Sequence, residues 1–349
     1  MIGAPEFADS SNLHFDFFAR IVDHANTLAN SHNGWRTHRL KLGDVALELL
    51  TLGDLATEMA SAFIPQSGVD GVSGGAGLNG RAIRIRLLTT EALGATLPPT
   101  MWRWDEAEYR SDRFGFTFDP NRRMLTAVDV SEREAVVWFT RDRVGAWERA
   151  APARPIIDRL LSQFGLTMLH AGSLGTGDKT MLFAGPGGSG KSTLVRAGVK
   201  KKMKTVGDDF LLLLPGQPPL VAPLYRTLRL QQSSPSFDAA SDHIEEDGFA
   251  NDKALVLLPQ DDSIAQTQQV VALAAMHVSG KKESILEPTS TSEVLRSLLP
   301  SSLILADRRP EAMTVLTDLA RGLPSFRFAV GTDIDHALRV VSDLLEEIG

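Results

Sequence analysis

"AGPGGSGKST", residues 184–193, is the stretch that decides the fold of the second half of this chain. Four of its positions match the pattern G-x-x-x-x-G-K-[ST]: Gly185, Gly190, Lys191 and Ser192. The preceding "TMLFA" (180–184) has the composition of a buried strand, and the following "STLVRAGV" (192–199) has that of a helix. A strand, a glycine-rich loop and a helix in this order predict a phosphate-binding loop, because the glycines let backbone N–H groups turn toward an anion.

This loop predicts that the chain binds ATP together with Mg²⁺. In loops of this kind the lysine, here Lys191, reaches the β- and γ-phosphates, and the hydroxyl of Ser192 ligates the metal. The residues expected to contact the nucleotide are Gly185, Gly187, Gly188, Ser189, Gly190, Lys191, Ser192 and Thr193. The loop alone does not say whether the γ-phosphate drives a motion, goes to water or goes to another molecule.

Two adjacent carboxylates, Asp208 and Asp209, bear on that question. They close "KTVGDD" (204–209), which is predicted to be a strand following the P-loop helix. The carboxyl ends of parallel strands gather at the phosphate site of such sheets. Neighbouring side chains on a strand point in opposite directions, so the two carboxylates have different tasks. One is expected to face the γ-phosphate as proton acceptor and the other to hold Mg²⁺ or brace the loop; the residues leave open which does which.

Three further side chains are candidates for the same site. His170 lies in the predicted strand "LHAGS" (169–173), where it is either a core histidine or a partner that tunes the aspartates. Arg226 and Arg229 are predicted to share one face of the strand "PLYRTLRL" (223–230). They either clamp a phosphate or an acidic substrate, or lie on the surface.

Composition limits the class of protein. A chain of 349 residues with 43% hydrophobic residues predicts a globular protein of two domains or of one elaborated domain. The absence of cysteine excludes disulfides, thiolate zinc sites and a cysteine nucleophile. The formal charge of −7 argues against a nucleic-acid partner. No apolar run long enough to span a bilayer occurs, so we expect no membrane partner and a cytoplasmic location.

The two halves of the chain follow different patterns. Residues 1–150 predict a β-rich domain, with a hairpin turning at Gly43 and an antiparallel meander of three strands from Phe114 onward. Residues 151–349 predict the α/β domain that carries the P-loop, ending in an amphipathic helix. The "APARP" segment, 151–155, is the predicted joint.

Three other patterns carry no catalytic prediction. The "GAGLNG" cluster (75–80) precedes a predicted strand instead of a helix, which favours a loop over a dinucleotide site. The "LILAD" segment (303–307) imitates a Walker B strand, but arginine follows its aspartate and a structural role is favoured. Ser290 and Glu293 form a predicted capping box ahead of a helix.

Together "LHAGSLG", "TMLFAGPGGSGKSTLVRAGV" and "KTVGDDFLLL" resemble the catalytic core of bacterial HPr serine kinase/phosphorylase. The chain is most similar to the HPr-kinase-related branch that modifies ribosomally made peptides, such as lasso-peptide kinases. Those proteins share the "PLYRxLRL"-like segment, a β-rich N-terminal part and a helical C-terminal end. The likeness is specific over residues 155–230 and rests on architecture alone for 1–150. It implies an α/β P-loop kinase core of HPr-kinase/PEP-carboxykinase type with a β-rich α+β N-terminal domain for acceptor recognition or assembly.

The resemblance also implies a role for each site residue. Lys191 binds phosphates, Ser192 binds Mg²⁺, and Asp208 accepts the proton of a serine hydroxyl. Asp209 supports it and contributes to the metal site, and His170 partners the aspartates. Relatives often form rings of subunits, so the resemblance allows a homo-oligomer.

The chain departs from the phosphorylase-type members in one respect. They carry a metal-binding acidic residue in a Glu-x-Arg-Gly segment, whereas "RLQQSSPSF" (229–237) has no carboxylate. This argues against a reverse, dephosphorylating reaction and against HPr as substrate. The expected acceptor is a serine of a peptide or protein, with a small-molecule or saccharide hydroxyl as the alternative. A P-loop ATPase switch or a nucleotide-binding scaffold without phosphotransfer is the alternative from another class.

Overall fold

A computed structural model describes residues 10–63, 82–94, 108–238, 253–305 and 310–348. It is a mixed α/β structure with several sheets. Its contacts divide the chain into two compact units, Met1–Ser61 with Gln66–Val144 and Ala62–Pro65 with Gly145–Gly349. Within the described ranges, no helix has the length and apolar character needed to cross a membrane. The "GAGLNG" cluster and Asp307 lie outside the described residues.

The first unit is built on one seven-stranded sheet, in the order β1-β2-β3-β7-β6-β5-β4. Its helices are α1 (Ser10–Ser31) and α2 (Asp54–Met59). Its strands are β1 (Arg36–Leu42), β2 (Val45–Leu52), β3 (Ala82–Thr89), β4 (Glu108–Arg110), β5 (Phe114–Asp119), β6 (Met124–Asp129) and β7 (Glu134–Phe139). Helix α1 packs its apolar residues, including Ile21 and Ala25, against a sheet face centred on Trp138.

The predicted hairpin and meander of this unit are confirmed. Strands β1 and β2 pair antiparallel across a turn at Gly43, whose φ of 64° is readily adopted by glycine. Strands β5, β6 and β7 form the antiparallel meander. Strand β3 runs parallel to both β2 and β7, so the sheet as a whole is mixed.

The second unit contains the glycine-rich stretch 184–193. Its helices are α3 (Ala146–Ala150), α4 (Arg154–Leu161), α5 (Lys191–Lys200), α6 (Thr291–Leu305), α7 (Pro310–Arg321) and α8 (Ile334–Ile348). Its strands are β8 (Thr167–Leu169), β9 (Gly172–Thr176), β10 (Lys179–Ala184), β11 (Leu211–Leu214), β12 (Leu220–Pro223), β13 (Thr227–Gln231), β14 (Lys253–Leu257), β15 (Gln268–Val278), β16 (Ile285–Pro288) and β17 (Ser325–Val330).

Eight of these strands form one mixed sheet. The path β16-β17-β15-β12-β11-β8 is extended by β10, which pairs parallel with β15 and antiparallel with β9. Strands β13 and β14 form a separate two-stranded ribbon. Apolar residues of α5 and α8, such as Leu194 and Val341, share one core cluster with the sheet, and those of α6 and α7, such as Leu298 and Leu316, share another. The sheet thus lies between two helical layers.

Two strand predictions around the site are wrong. The strand predicted over 169–173 is interrupted at His170 and Ala171, because β8 pairs with β11 whereas β9 pairs with β10. The strand predicted to end in the aspartate pair does not form; Lys204 and Thr205 make only isolated bridges. The pair instead lies in a turn that precedes β11, with Asp209 in the left-handed region at φ 63°.

Three smaller predictions also need correction. Arg226 precedes β13 and Arg229 lies within it, and residues three apart in extended chain do not share a face. Residues 303–305, expected to be part of a strand, end helix α6. The Glu293 N–H bonds to Ser290 Oγ at 3.3 Å as a cap requires, but the Glu293 carboxylate pairs with Arg327 instead of completing the box.

Candidate functional site

The glycine-rich loop joins the end of β10 at Ala184 to the start of α5 at Lys191. Gly188 (φ 84°) and Gly190 (φ 95°) adopt left-handed conformations that residues with a Cβ avoid. A Cβ on Gly185 would lie 2.6 Å from the carbonyl oxygen of Met276 and 2.7 Å from Ser189 Oγ. The loop therefore needs glycine at these positions for backbone conformation and for close packing against β15.

Lys191 is folded over this loop. It is only 5% exposed, and its Nζ donates to the carbonyl oxygens of Gly185 at 2.7 Å and Pro186 at 3.3 Å. Because Lys191 is also the first residue of α5, the loop under its ammonium leads directly into the N-terminus of a ten-residue helix. A cation and a helix N-terminus together favour an anion such as a phosphate group.

Asp208 is 1% exposed and is close enough to Lys191 to feel its charge. Neither of its carboxylate oxygens makes a hydrogen bond of standard geometry with the described residues. Burial, reinforced by the charge of Asp209, raises the pKa of Asp208 to about 7, although the Ser192 hydroxyl, Lys191 and the Asp209 N–H act in the opposite direction. A carboxylate with a pKa near neutrality can accept a proton at physiological pH.

Asp209 has the opposite character. His170 Nε2 donates to its Oδ1 at 3.2 Å, and both side chains are partly buried. Burial raises the pKa of Asp209, but the hydrogen bond and attraction of His170, with Lys191 and Lys253, outweigh it and leave the pKa below its ordinary value. The site therefore holds one carboxylate ready to take a proton beside one that stays ionised.

Sequence reasoning missed Gly172 and Lys253. A Cβ built on Gly172 would lie 3.0 Å from Asp208 Oδ1 and 3.6 Å from Lys191 Cβ, so this glycine lets the two side chains approach the same strand. The sequence does carry a sign of Gly172: the small residues Ala171 and Gly172 follow His170, and small residues allow two segments to approach closely. Lys253 begins β14, on the far side of 14 residues that the structure does not describe, and no motif marked it.

Thr193, expected at the nucleotide, contacts a neighbouring segment. Its hydroxyl lies 3.0 Å from Ser234 Oγ, and Ser236 Oγ donates to its carbonyl oxygen at 2.9 Å. Lys200 Nζ donates to the carbonyl oxygen of Ser236 at 3.0 Å. The segment after β13 is therefore held along helix α5.

The two arginines differ in their surroundings. The guanidinium of Arg229 lies 4.1 Å from the ring centroid of Trp147 and the residue is buried, which makes it part of the packing. The side chain of Arg226 is half-buried, and among the described residues it has no ion pair or hydrogen-bond partner. Its Nε is fully buried, and burial lowers its pKa. Of the two, Arg226 is the one available to an anion.

The side-chain oxygens of the site suit a divalent cation whose other ligands are phosphate oxygens. The described residues include no group of three or more acidic or histidine side chains arranged around a metal. Mg²⁺ in phosphotransfer sites, however, takes few protein ligands and binds mainly water and phosphate oxygens. The Ser192 hydroxyl and the Asp209 carboxylate are donors of that kind, since only Oδ1 of Asp209 is engaged by His170.

Comparison with known proteins adds little to this geometry. No family model and no curated protein matches the chain. Among solved structures, the HPr(Ser) kinase/phosphatase from Coxiella burnetii is a structural neighbour with a TM-score of 0.26 and 13% sequence identity. The match covers 52% of this chain and 94% of that one. This likeness is too slight to assign a fold family or an activity to the chain.

Proposed function

We propose that this chain is a Mg²⁺- and ATP-dependent kinase that transfers the γ-phosphoryl group to the hydroxyl of a serine in a peptide or protein. One observation carries the proposal. A buried carboxylate with a raised pKa, Asp208, lies beside the Lys191 and Ser192 side chains of a glycine-rich loop that opens a helix. Group transfer to a hydroxyl needs a proton acceptor at that place.

In this reaction the acceptor oxygen attacks the γ-phosphorus while the bond to the β,γ-bridging oxygen breaks. Asp208 receives the hydroxyl proton, and ADP leaves with the electron pair of the broken bond. Lys191 neutralises charge on the β- and γ-phosphates. Asp209, kept ionised by His170, keeps the neighbouring carboxylate basic because two adjacent carboxylates resist ionising together.

Ser192 and Asp209 are the residues proposed to hold Mg²⁺. The Ser192 hydroxyl belongs to the loop, and Oδ1 of Asp209 is engaged by His170, which leaves Oδ2 for a metal. When bound, the cation would supply charge neutralisation along the phosphates. Asp209 therefore has two proposed tasks, and Asp208 has one.

The acceptor is the least constrained part of the proposal. A small-molecule or saccharide hydroxyl would suit the same chemistry. Arg226, a half-buried cation with no acidic partner among the described residues, supports an acceptor that carries a carboxylate or phosphate near its hydroxyl. Residues 1–150 are proposed to contribute to acceptor recognition or assembly.

The test is transfer of labelled γ-phosphate from ATP into a panel of serine-containing precursor peptides and hydroxyl metabolites. Asp208→Asn should bind ATP as the wild type does and lose transfer by about 10²- to 10⁴-fold. Ser111→Ala, in the first unit, serves as control. Equal transfer by Asp208→Asn would show that the base is wrongly assigned. Brisk ATP hydrolysis without an acceptor would favour a switch, and nucleotide binding without any turnover would favour a scaffold.

A further inference from the structure

The turn that carries the aspartate pair is held by two buried hydroxyls. Ser173 in β9 and Thr205 at the start of the turn are both 0% exposed, and their side-chain oxygens lie 2.9 Å apart. They come from segments 32 positions apart in the chain. A buried hydroxyl is stable only when it is hydrogen-bonded. The partners of these two hydroxyls therefore show which part of the structure they hold.

The two hydroxyls bond to the backbone of the turn. Thr205 Oγ1 accepts the N–H of Gly207 at 2.9 Å and donates to the carbonyl oxygen of Ser173 at 2.8 Å. Ser173 Oγ accepts the N–H of Val206 at 3.0 Å. Both amides immediately precede Asp208, in a turn whose Gly207 has φ 128°. Side chains supply here the hydrogen bonds that a strand ladder would otherwise make.

The same two segments carry the site contacts. Ser173 follows Gly172, whose Cα approaches Asp208, and lies three residues after His170, which bonds to Asp209. The Ser173–Thr205 contact therefore helps to set the spacing between the segment with the histidine and the turn with the carboxylates. Backbone hydrogen bonds join the same segments, from the Ser173 N–H to the Gly207 carbonyl oxygen at 3.2 Å and between Gly175 and Lys204. A shift of the turn would change both distances together, since both contacts cross the same gap.

We propose that Ser173 and Thr205 are positioning residues for phosphoryl transfer, which orient Asp208 and Asp209 without touching the substrates; this rests on the proposed function. Thr205→Val should lower kcat roughly 10- to 100-fold, because misplacement of a catalytic group by about 1 Å costs that much. ATP affinity and the KM of the acceptor should stay within about twofold of the wild type. Thr205→Ser, which keeps the hydroxyl, should restore most of the rate.

Thr180→Val is the matched control. Thr180 is also a threonine at 0% exposure, in the neighbouring strand β10, but among the described residues its hydroxyl reaches only the carbonyl oxygen of Met181, at 3.5 Å. Its kcat should stay near the wild-type value. If Thr205→Val and Thr180→Val give the same kcat, the positioning role is overturned. Should Thr205→Val fail to fold, Ser173→Ala takes its place in the same comparison.

Amide hydrogen exchange, followed residue by residue by NMR on the full chain, gives a second readout that does not need turnover. Ser173→Ala should speed exchange at Val206, and Thr205→Val should speed it at Gly207, each by about tenfold or more. Unchanged exchange at both amides overturns the inference. If the wild-type chain transfers phosphate to no acceptor, the proposed function fails, and this exchange pattern alone then decides whether the hydroxyls hold the turn.

Discussion

His170 Nε2 lies 3.2 Å from Asp209 Oδ1, although the two residues are 39 positions apart in the chain. The contact is possible because the chain leaves β8 at His170 before it enters β9, and because Asp209 adopts a left-handed conformation. Through it His170 lowers the pKa of one aspartate and leaves the neighbouring Asp208 as the carboxylate with the raised pKa. His170 thereby helps to give two adjacent aspartates opposite pKa shifts.

Replacing His170 should weaken transfer without weakening ATP binding. In His170→Ala the pKa of Asp209 is expected to rise, because burial is no longer opposed by the hydrogen bond. We expect transfer near pH 7 to fall roughly tenfold and to recover partly at higher pH, where Asp209 ionises again. A pH–rate profile beside His32→Ala in the first unit checks this; an unshifted profile would contradict the role of His170.

The two aspartates should affect stability with opposite signs. The folded-state pKa of Asp208 is raised, so the folded state holds a proton that the unfolded state has lost between about pH 4 and 7. The contribution of Asp208 to the free energy of unfolding therefore falls as pH rises from about 4 to 7. At about pH 8 Asp208→Asn should stabilise the ligand-free protein by on the order of 2 kcal/mol, less than the full shift implies because the site relaxes.

Asp209→Asn is the matched comparison for that measurement. The pKa of Asp209 is lowered in the folded state, so this carboxylate stabilises the folded protein above its unfolded-state pKa, and that stability is lost as pH falls. Asp209→Asn should therefore destabilise the protein at the same pH. Urea unfolding of the two variants and the wild type at about pH 5 and pH 8 checks both signs. A destabilised Asp208→Asn at the higher pH would contradict the assignment.

Gly172 should not tolerate a methyl group. In Gly172→Ala the added carbon would lie 3.0 Å from Asp208 Oδ1 and from Val195 Cγ2, so the strand or the carboxylate must move. We expect a loss of about 1–3 kcal/mol in the free energy of unfolding, together with reduced transfer. Gly187→Ala, where a Cβ meets nothing within 4 Å, should leave the melting temperature unchanged. Equal melting temperatures for the two variants would show that the close approach is not tight.

Substitution of Arg226 should affect acceptor binding, whereas substitution of Arg229 should affect stability. Arg226→Gln should raise the KM for an acidic acceptor by roughly tenfold, because a charge-assisted hydrogen bond is lost, and should leave stability unchanged. Arg229→Gln should instead lower stability by about 1 kcal/mol, since it loses its position over Trp147. Steady-state kinetics and thermal unfolding of both variants check this. The opposite pattern would place the anion contact at Arg229.

Local patterns predicted a large part of the fold. The alternation on both sides of Gly43 predicted β1 and β2, the apolar run before the glycine-rich loop predicted β10, and the helical pattern after it predicted α5. These predictions succeeded because turn residues and periodicity act over a few positions. The strand over 204–209 failed for the same reason. Its backbone bonds instead to distant segments, from the Val206 N–H to the Ser173 side chain and from the Thr205 N–H to the Ser263 carbonyl oxygen, and no local pattern reveals these partners.

The sequence by itself determined which residue types are available for chemistry: a lysine and a serine after a glycine-rich loop, two adjacent aspartates and no cysteine. Only the tertiary structure decided how the aspartates differ. Burial and the charge of Asp209 raise the pKa of Asp208, and His170, brought in from a break between two strands, lowers that of Asp209. The reason is physical, because a pKa depends on solvent exclusion and on charges within a few ångströms, and both are set by segments distant in the chain.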